Sequence, residues 1–207
     1  MKNIVIVDYD CGNLLSIKRA IEKIGYTSTV SRDLKELQKS SHMILPGVGA
    51  FGNAISLLKK HKLIEIIKKH SIEEKKPLLG ICLGMQLLLS NSNEFGFSKG
   101  LDIIEGNVEK IADQTKKKIK VPHIGWNSLK FLDKNNNFIL DGNNSFYFIH
   151  SYMAKPKDKK TIVAFTIFEK IKIPAIIRKE NISGFQFHPE KSANSGLELI
   201  QKFCKND

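Results

Sequence analysis

Short β-branched runs alternate with stretches of helical spacing through the first half of the chain. Asn3–Val7, apolar from Ile4 onward, reads as a buried strand. Leu14, Ile17, Ile21 and Ile24 fall on one helical face, Gly25 supplies a stop, and Tyr26–Val30 reads as a second strand. The pattern then repeats. Met43–Leu45 is a short strand ended by Pro46, Ala54–Leu58 and Leu63–Ile67 have helical spacing, and Pro77–Ile81 is a fourth strand running into another helix. Strands separated by helical stretches are the mark of βαβ units and a parallel sheet.

Beyond Gly100 the pattern changes to short strands parted by polar turns: Ile103–Ile111, Lys118–Val121, Phe146–Ile149, Ile162–Phe168, Ala175–Arg178 and Gly184–Phe187. Leu197, Ile200 and Phe203 return to helical spacing and predict a closing helix. No linker, repeat or low-complexity stretch divides the chain. The expectation is one α/β domain over residues 1–207, with a mixed, mainly parallel central sheet flanked by helices.

Composition narrows the class. With 207 residues, 42% hydrophobic and 26% charged, the chain has the make-up of a globular protein, and disordered, collagen-like and disulfide-scaffold classes fit poorly. The most apolar stretch, Leu78 to Leu89, contains Gln86 and is shorter than the roughly 18 residues a membrane span needs, so no span is expected. The N-terminal apolar run ends at Asp8, too short for a signal peptide, and the expected location is the cytoplasm. Cys11, Cys82 and Cys204 are odd in number and lack CxxC spacing, so each is expected to be a free thiol. The net charge of +12 comes mostly from scattered lysines. The runs Lys116–Lys118 and Lys157–Lys160 carry no interleaved aromatics, which favours a solvated surface over a nucleic-acid or membrane partner.

Gly80-Ile81-Cys82-Leu83-Gly84 places a cysteine where a strand turns sharply into a helix. A nucleophile on so tight a turn needs small neighbours two residues away on each side, and the start of a helix favours negative charge on the sulfur. The alternative is a buried structural cysteine beside packing glycines. A nucleophilic thiol needs a base, and the base an orienting group. His188 and Glu190, two apart in Phe187-His188-Pro189-Glu190, point to one face of an extended segment. The competing bases His123 and His150 have no carboxylate nearby in sequence.

Gly47-Val48-Gly49-Ala50-Phe51-Gly52 matches G-x-G-x-x-G. A dinucleotide site is one reading. However, the motif follows the third strand, and the only acidic residue near the required spacing, Glu65, lies in a helical stretch. The favoured reading is an oxyanion hole, in which backbone N–H groups of this turn and of Leu83 stabilise a tetrahedral intermediate. No zinc or P-loop spacing occurs, so neither a metal nor a cofactor is expected. The chemistry indicated is acyl transfer.

Together these segments resemble the class I, or triad, glutamine amidotransferases, and within them the family of glutaminase subunits of imidazole glycerol phosphate synthase. The resemblance also draws on Asp8-Tyr9-Asp10-Cys11-Gly12-Asn13, Val121-Pro122-His123-Ile124-Gly125-Trp126-Asn127, Phe148-Ile149-His150-Ser151-Tyr152 and Gly184-Phe185-Gln186 through Ser192. It implies a flavodoxin-like fold in which Cys82 attacks the glutamine amide, His188 carries the proton to the departing ammonia, and Glu190 orients the imidazole. It further implies that Val48 and Leu83 supply oxyanion N–H groups and that Gly49, Gln86, Glu94, Ser151 and Tyr152 bind glutamine. The implied partner is a (β/α)8 cyclase subunit that makes imidazole glycerol phosphate and an aminoimidazole carboxamide ribotide in histidine biosynthesis. Asn13, Trp126 and Lys191 are expected at the interface.

Two departures from the family pattern, Asp10 in place of glycine and Asn93-Glu94-Phe95-Gly96, fit an alternative: a paralogous glutaminase feeding another synthase, such as one amidating a surface sugar. Cysteine peptidases or chaperones sharing the elbow, and a basic nucleic-acid-binding domain, explain fewer of these residues.

Overall fold

A computed structural model describes residues 2–133, 137–140 and 145–205. The first half contains β1 (Ile4–Val7), α1 (Leu14–Lys23), β2 (Ser28–Ser31), α2 (Leu34–Lys39), β3 (His42–Leu45), α3 (Phe51–Lys60), α4 (Leu63–Lys68), β4 (Leu78–Ile81) and α5 (Leu83–Leu87). Then follow β5 (Leu89–Ser92), β6 (Ser98–Lys99), β7 (Ile104–Lys110), β8 (His123–Ser128), β9 (Lys130–Phe131), β10 (Ser145–His150) and β11 (Tyr152–Pro156). The chain closes with β12 (Ile162–Phe168), β13 (Ile171–Lys179), β14 (Ile182–Phe185) and α6 (Ala193–Lys205).

The main sheet has the order β2-β1-β3-β4-β14-β13-β12-β9. Its first five strands run parallel, and β13, β12 and β9 extend it antiparallel. The expected mixed, mainly parallel sheet is therefore present. Alternation along β1 sorts its side chains: Val5 and Val7 pack with α3 and α4 on one face, and Ile4 and Ile6 pack with α1 and α6 on the other. Burial on both faces is why β1 and β4 read as unbroken apolar runs, whereas β2, at the edge of the sheet, is Ser-Thr-Val-Ser and only partly buried.

The strand-rich half does not all join that sheet. β8 and β10 form a separate antiparallel pair, and β11, β7, β5 and β6 form a third sheet. Lys118–Val121, expected as a strand, has irregular backbone instead. Its alternating Ile119 and Val121 pack against Ile111, Met153 and Ile173, so the pattern reflects burial without a neighbouring ladder. Gly184–Phe187 is displaced: β14 ends at Phe185, the Gln186 N–H still donates to the Ala175 carbonyl of β13 at 2.9 Å, and His188 turns to the β8–β10 pair, its N–H donating to the Tyr147 carbonyl at 2.9 Å. The helix after β4 is only five residues long before the chain turns into β5, which takes only its first residue, Leu89, from the apolar run and continues through Ser90, Asn91 and Ser92. No helix among the described residues is long and apolar enough to cross a membrane.

Candidate active site

Between β4 and α5 the backbone reverses at Cys82, which has φ 55° and ψ −110°. The flanking glycines make this turn possible for a steric reason. A Cβ on Gly80 would come within 2.7 Å of Gly84 and Met85 backbone atoms, and one on Gly84 would collide with the Leu45 carbonyl oxygen. The turn is pinned by the Cys82 N–H, which donates to the Phe185 carbonyl at 2.7 Å, and Leu83 opens the helix behind it.

The Cys82 sulfur lies 4.0 Å from the Ile149 carbonyl oxygen and 3.9 Å from Gln186 Nε2. His188 approaches from beyond β14. Its Nδ1 is 2.8 Å from Glu190 Oε1, with the two side chains 4% and 1% exposed. Burial alone would lower the imidazole pKa, but interaction with Cys82 and the hydrogen bond to Glu190 outweigh it and raise His188 to about 10. Among the described residues His188 Nε2 has no hydrogen-bond partner, which leaves it open to a reacting group. The arrangement can take a proton from a thiol and return it to a leaving amine.

The elbow opens into a pocket of about 370 Å³. Its wall includes Cys82, His188, Val48 and Leu83, together with all five residues expected to bind glutamine: Gly49, Gln86, Glu94, Ser151 and Tyr152. Gln86 Nε2 donates to the Tyr152 carbonyl and to Gln186 Oε1, both at 3.0 Å, so one end of this side chain is fixed by the protein. Glu94 Oε2 accepts from the Phe51 N–H at 2.7 Å and so caps α3, whose Ala50 N-cap has no side chain to do it. That bond ties the Glu94 loop to the glycine-rich turn.

Two residues to which the sequence assigned no role hold that turn from the other side. The Tyr9 hydroxyl donates to the Pro46 carbonyl at 2.6 Å, and the Cys11 thiol donates to the Val48 carbonyl at 2.7 Å. The only sequence signal for this was their place in the Asp8–Asn13 segment. Asp10 between them adopts φ 65°, with its carboxylate bound by Arg32 and His61. Those two hydrogen bonds lower its pKa to about 2.

Of the three residues expected at an interface, two come together. Trp126, 53% exposed, meets the Tyr147 ring edge-on at 6.0 Å, and Lys191 Nζ lies 5.8 Å from the same ring. Lys191 also borders the pocket. Asn13 is the N-cap of α1, its carbonyl accepting from Ile17 at 3.3 Å. His150, read from sequence as a competing base, lines the pocket as well, but its ring is bonded to a carbonyl and to His123, with no carboxylate.

A family model described as glutamine amidotransferase class-I matches residues 5–206, and the chain belongs to that family. Its similarity to particular members is closer still. The imidazole glycerol phosphate synthase subunit HisH of Lactococcus lactis subsp. lactis (strain IL1403) is 43% identical over 206 residues, covering 99% of each chain. The subunit HisH 2 of Methanococcus maripaludis is 44% identical over 205 residues, covering 98% of each. Among solved structures, that of PurLQS from Thermotoga maritima matches 98% of this chain and 97% of that one with a TM-score of 0.74 at 18% identity, a likeness of fold.

Proposed function

We propose that this chain is the glutaminase subunit of an imidazole glycerol phosphate synthase, a cytoplasmic enzyme that hydrolyses L-glutamine to glutamate and passes the ammonia to a (β/α)8 cyclase partner. The observation that carries the reading is the convergence of Cys82, the His188–Glu190 pair and the Gln86 wall on one pocket, in a chain similar to HisH subunits over nearly its full length.

In the reaction, the Cys82 sulfur attacks the side-chain amide carbon and its proton passes to His188. The C–N bond then breaks, His188 gives the proton to the departing nitrogen, and a γ-glutamyl thioester remains. His188 next takes a proton from water, which attacks the thioester and releases glutamate and the thiol. In both tetrahedral intermediates the N–H groups of Val48 and Leu83 carry the oxyanion, while Glu190 keeps the imidazole in its working orientation. Gly49, Glu94, Ser151 and Tyr152 bind the amino-acid end of the substrate. The exposed surface around Trp126 and Lys191, with Asn13, receives the partner.

The test is glutamate release from glutamine by the protein alone, then with a histidine-pathway cyclase subunit and its ribonucleotide ligand, with Cys82→Ala as the blank. Stimulation by the liganded cyclase is the expected result. Labelling of Cys82 by a glutamine-like electrophile without any stimulation would assign the ammonia to another synthase, such as one amidating a surface sugar.

A further inference from the structure

Two buried histidines beside the pocket take no part in the reaction just described. His150 borders the pocket, and His123 lies behind it as its partner across the β8–β10 ladder. Their side chains form one hydrogen-bonded chain. His150 Nδ1 is 2.7 Å from the Tyr152 carbonyl oxygen, His150 Nε2 is 3.0 Å from His123 Nδ1, and His123 Nε2 is 2.9 Å from Asn127 Oδ1. Asn127 Nδ2 donates to the Ile167 carbonyl at 3.2 Å, which leaves Oδ1 as the atom facing His123.

Both ends of this chain are oxygens that only accept. Its three junctions therefore require three protons on ring nitrogens, whereas two neutral imidazoles carry two. With both rings neutral, one junction sets lone pair against lone pair, and a single added proton completes the chain. The surroundings suit that proton. The His123 ring lies between Phe148 and Phe168, with centroids at 4.9 and 4.4 Å and planes within 20° and 25°, and aromatic faces attract a cation. Burial acts the other way, lowering His150 to about 3 and His123 in the same direction.

His188, across the pocket, adds a smaller repulsion on His150, as does His123 itself. Tyr147 points to the opposite face of β10, toward Trp126 and Lys191. Glu169 and Lys170, beyond Phe168, are exposed, and β8 and β12 carry no other ionisable side chain. The chain ends on an atom that matters to the pocket, because the Tyr152 carbonyl accepts from Gln86 as well.

We propose that His123 and His150 are positioning residues that share one added proton, and that the proton-loaded pair holds the Tyr152 carbonyl and Gln86 in the geometry that binds glutamine. The identity of the ligand rests on the glutaminase reading, whereas the proton count does not. The experiment records imidazole N–H resonances of 15N-histidine-labelled protein by NMR across a pH series, with calorimetry of glutamine binding to the non-turning-over Cys82→Ala variant over the same range. Three protected N–H groups from the pair are expected at acid pH and two above the transition. Glutamine affinity should fall about tenfold as the third is lost, the size of one charge-assisted hydrogen bond.

Asn127→Asp gives the chain a carboxylate end and moves both transitions to higher pH. His123→Phe keeps the aromatic stack and removes the pH dependence of binding. Two ring N–H groups throughout, or an affinity that ignores the transition, would overturn the proposal. If Cys82→Ala binds no glutamine at any pH while the count still passes from three to two, the substrate assignment fails and the proton-sharing pair remains.

Discussion

Cys82 occupies a backbone conformation that costs an L-residue about 1–3 kcal/mol, and it does so because the reversal from β4 into α5 turns its sulfur into the pocket. Cys82→Ala is expected to abolish glutamate release with the fold retained. Cys82→Gly should be more stable than Cys82→Ala by about 1 kcal/mol in urea denaturation, since glycine carries no Cβ into this region; equal stabilities would show the turn to be unstrained. Glu190→Gln should impair turnover less than Cys82→Ala, because an orienting group contributes less than a nucleophile. His188 carries a pH signature with a definite sign. Its folded-state pKa of about 10 lies above the ordinary 6.5, so its contribution to stability is full below about pH 6.5 and is lost as pH rises through 10. Thermal unfolding across that range should show the loss, and in Glu190→Gln, which lacks one of the groups raising the pKa, the loss should be smaller and complete at lower pH.

Among the elements, the glycine-rich turn after β3 is gripped from two sides, by Tyr9 and Cys11 after β1 and by Glu94 after β5. Glu94→Ala removes the cap of α3 and should cost about 1 kcal/mol of stability, apart from any effect on glutamine binding. Gly84→Ala should cost about 2 kcal/mol or more, because the added methyl meets the carbonyl of Leu45 on the fixed neighbouring strand. The parallel strands were legible in sequence because burial on both faces leaves an apolar run with polar ends, as in Ile4–Val7. β5 was not, since the buried run Leu87–Leu89 carries the helix into the strand without a break and the rest of the strand, Ser90, Asn91 and Ser92, is polar and reads as a turn. Lys118–Val121 erred the other way: period-two burial arose from packing without a ladder.

At the scale of the whole molecule, Trp126 and Lys191 meet over Tyr147 beside the mouth of the pocket, where a partner receiving ammonia would have to sit. Trp126→Ala is expected to reduce stimulation by the cyclase at least tenfold while leaving thermal stability nearly unchanged, because a half-exposed ring contributes little to the isolated fold. Unchanged stimulation would move the docking face elsewhere. The sequence by itself determined the parallel βαβ core, the elbow at Cys82 and the pairing of His188 with Glu190. Each of these is set by local rules: periodicity, the room glycine leaves at a tight turn, and a spacing of two in extended backbone. Tertiary structure alone decided that Tyr9 and Cys11 hold the glycine-rich turn after β3, that Asp10 is bound by Arg32 and His61, and that His123 and His150 join Asn127 to the Tyr152 carbonyl. Apart from the local bonds of His123 to Asn127 and His150 to the Tyr152 carbonyl, those contacts link positions far apart in the chain, whose meeting depends on sheet order and strand register, and no local pattern of residues encodes it.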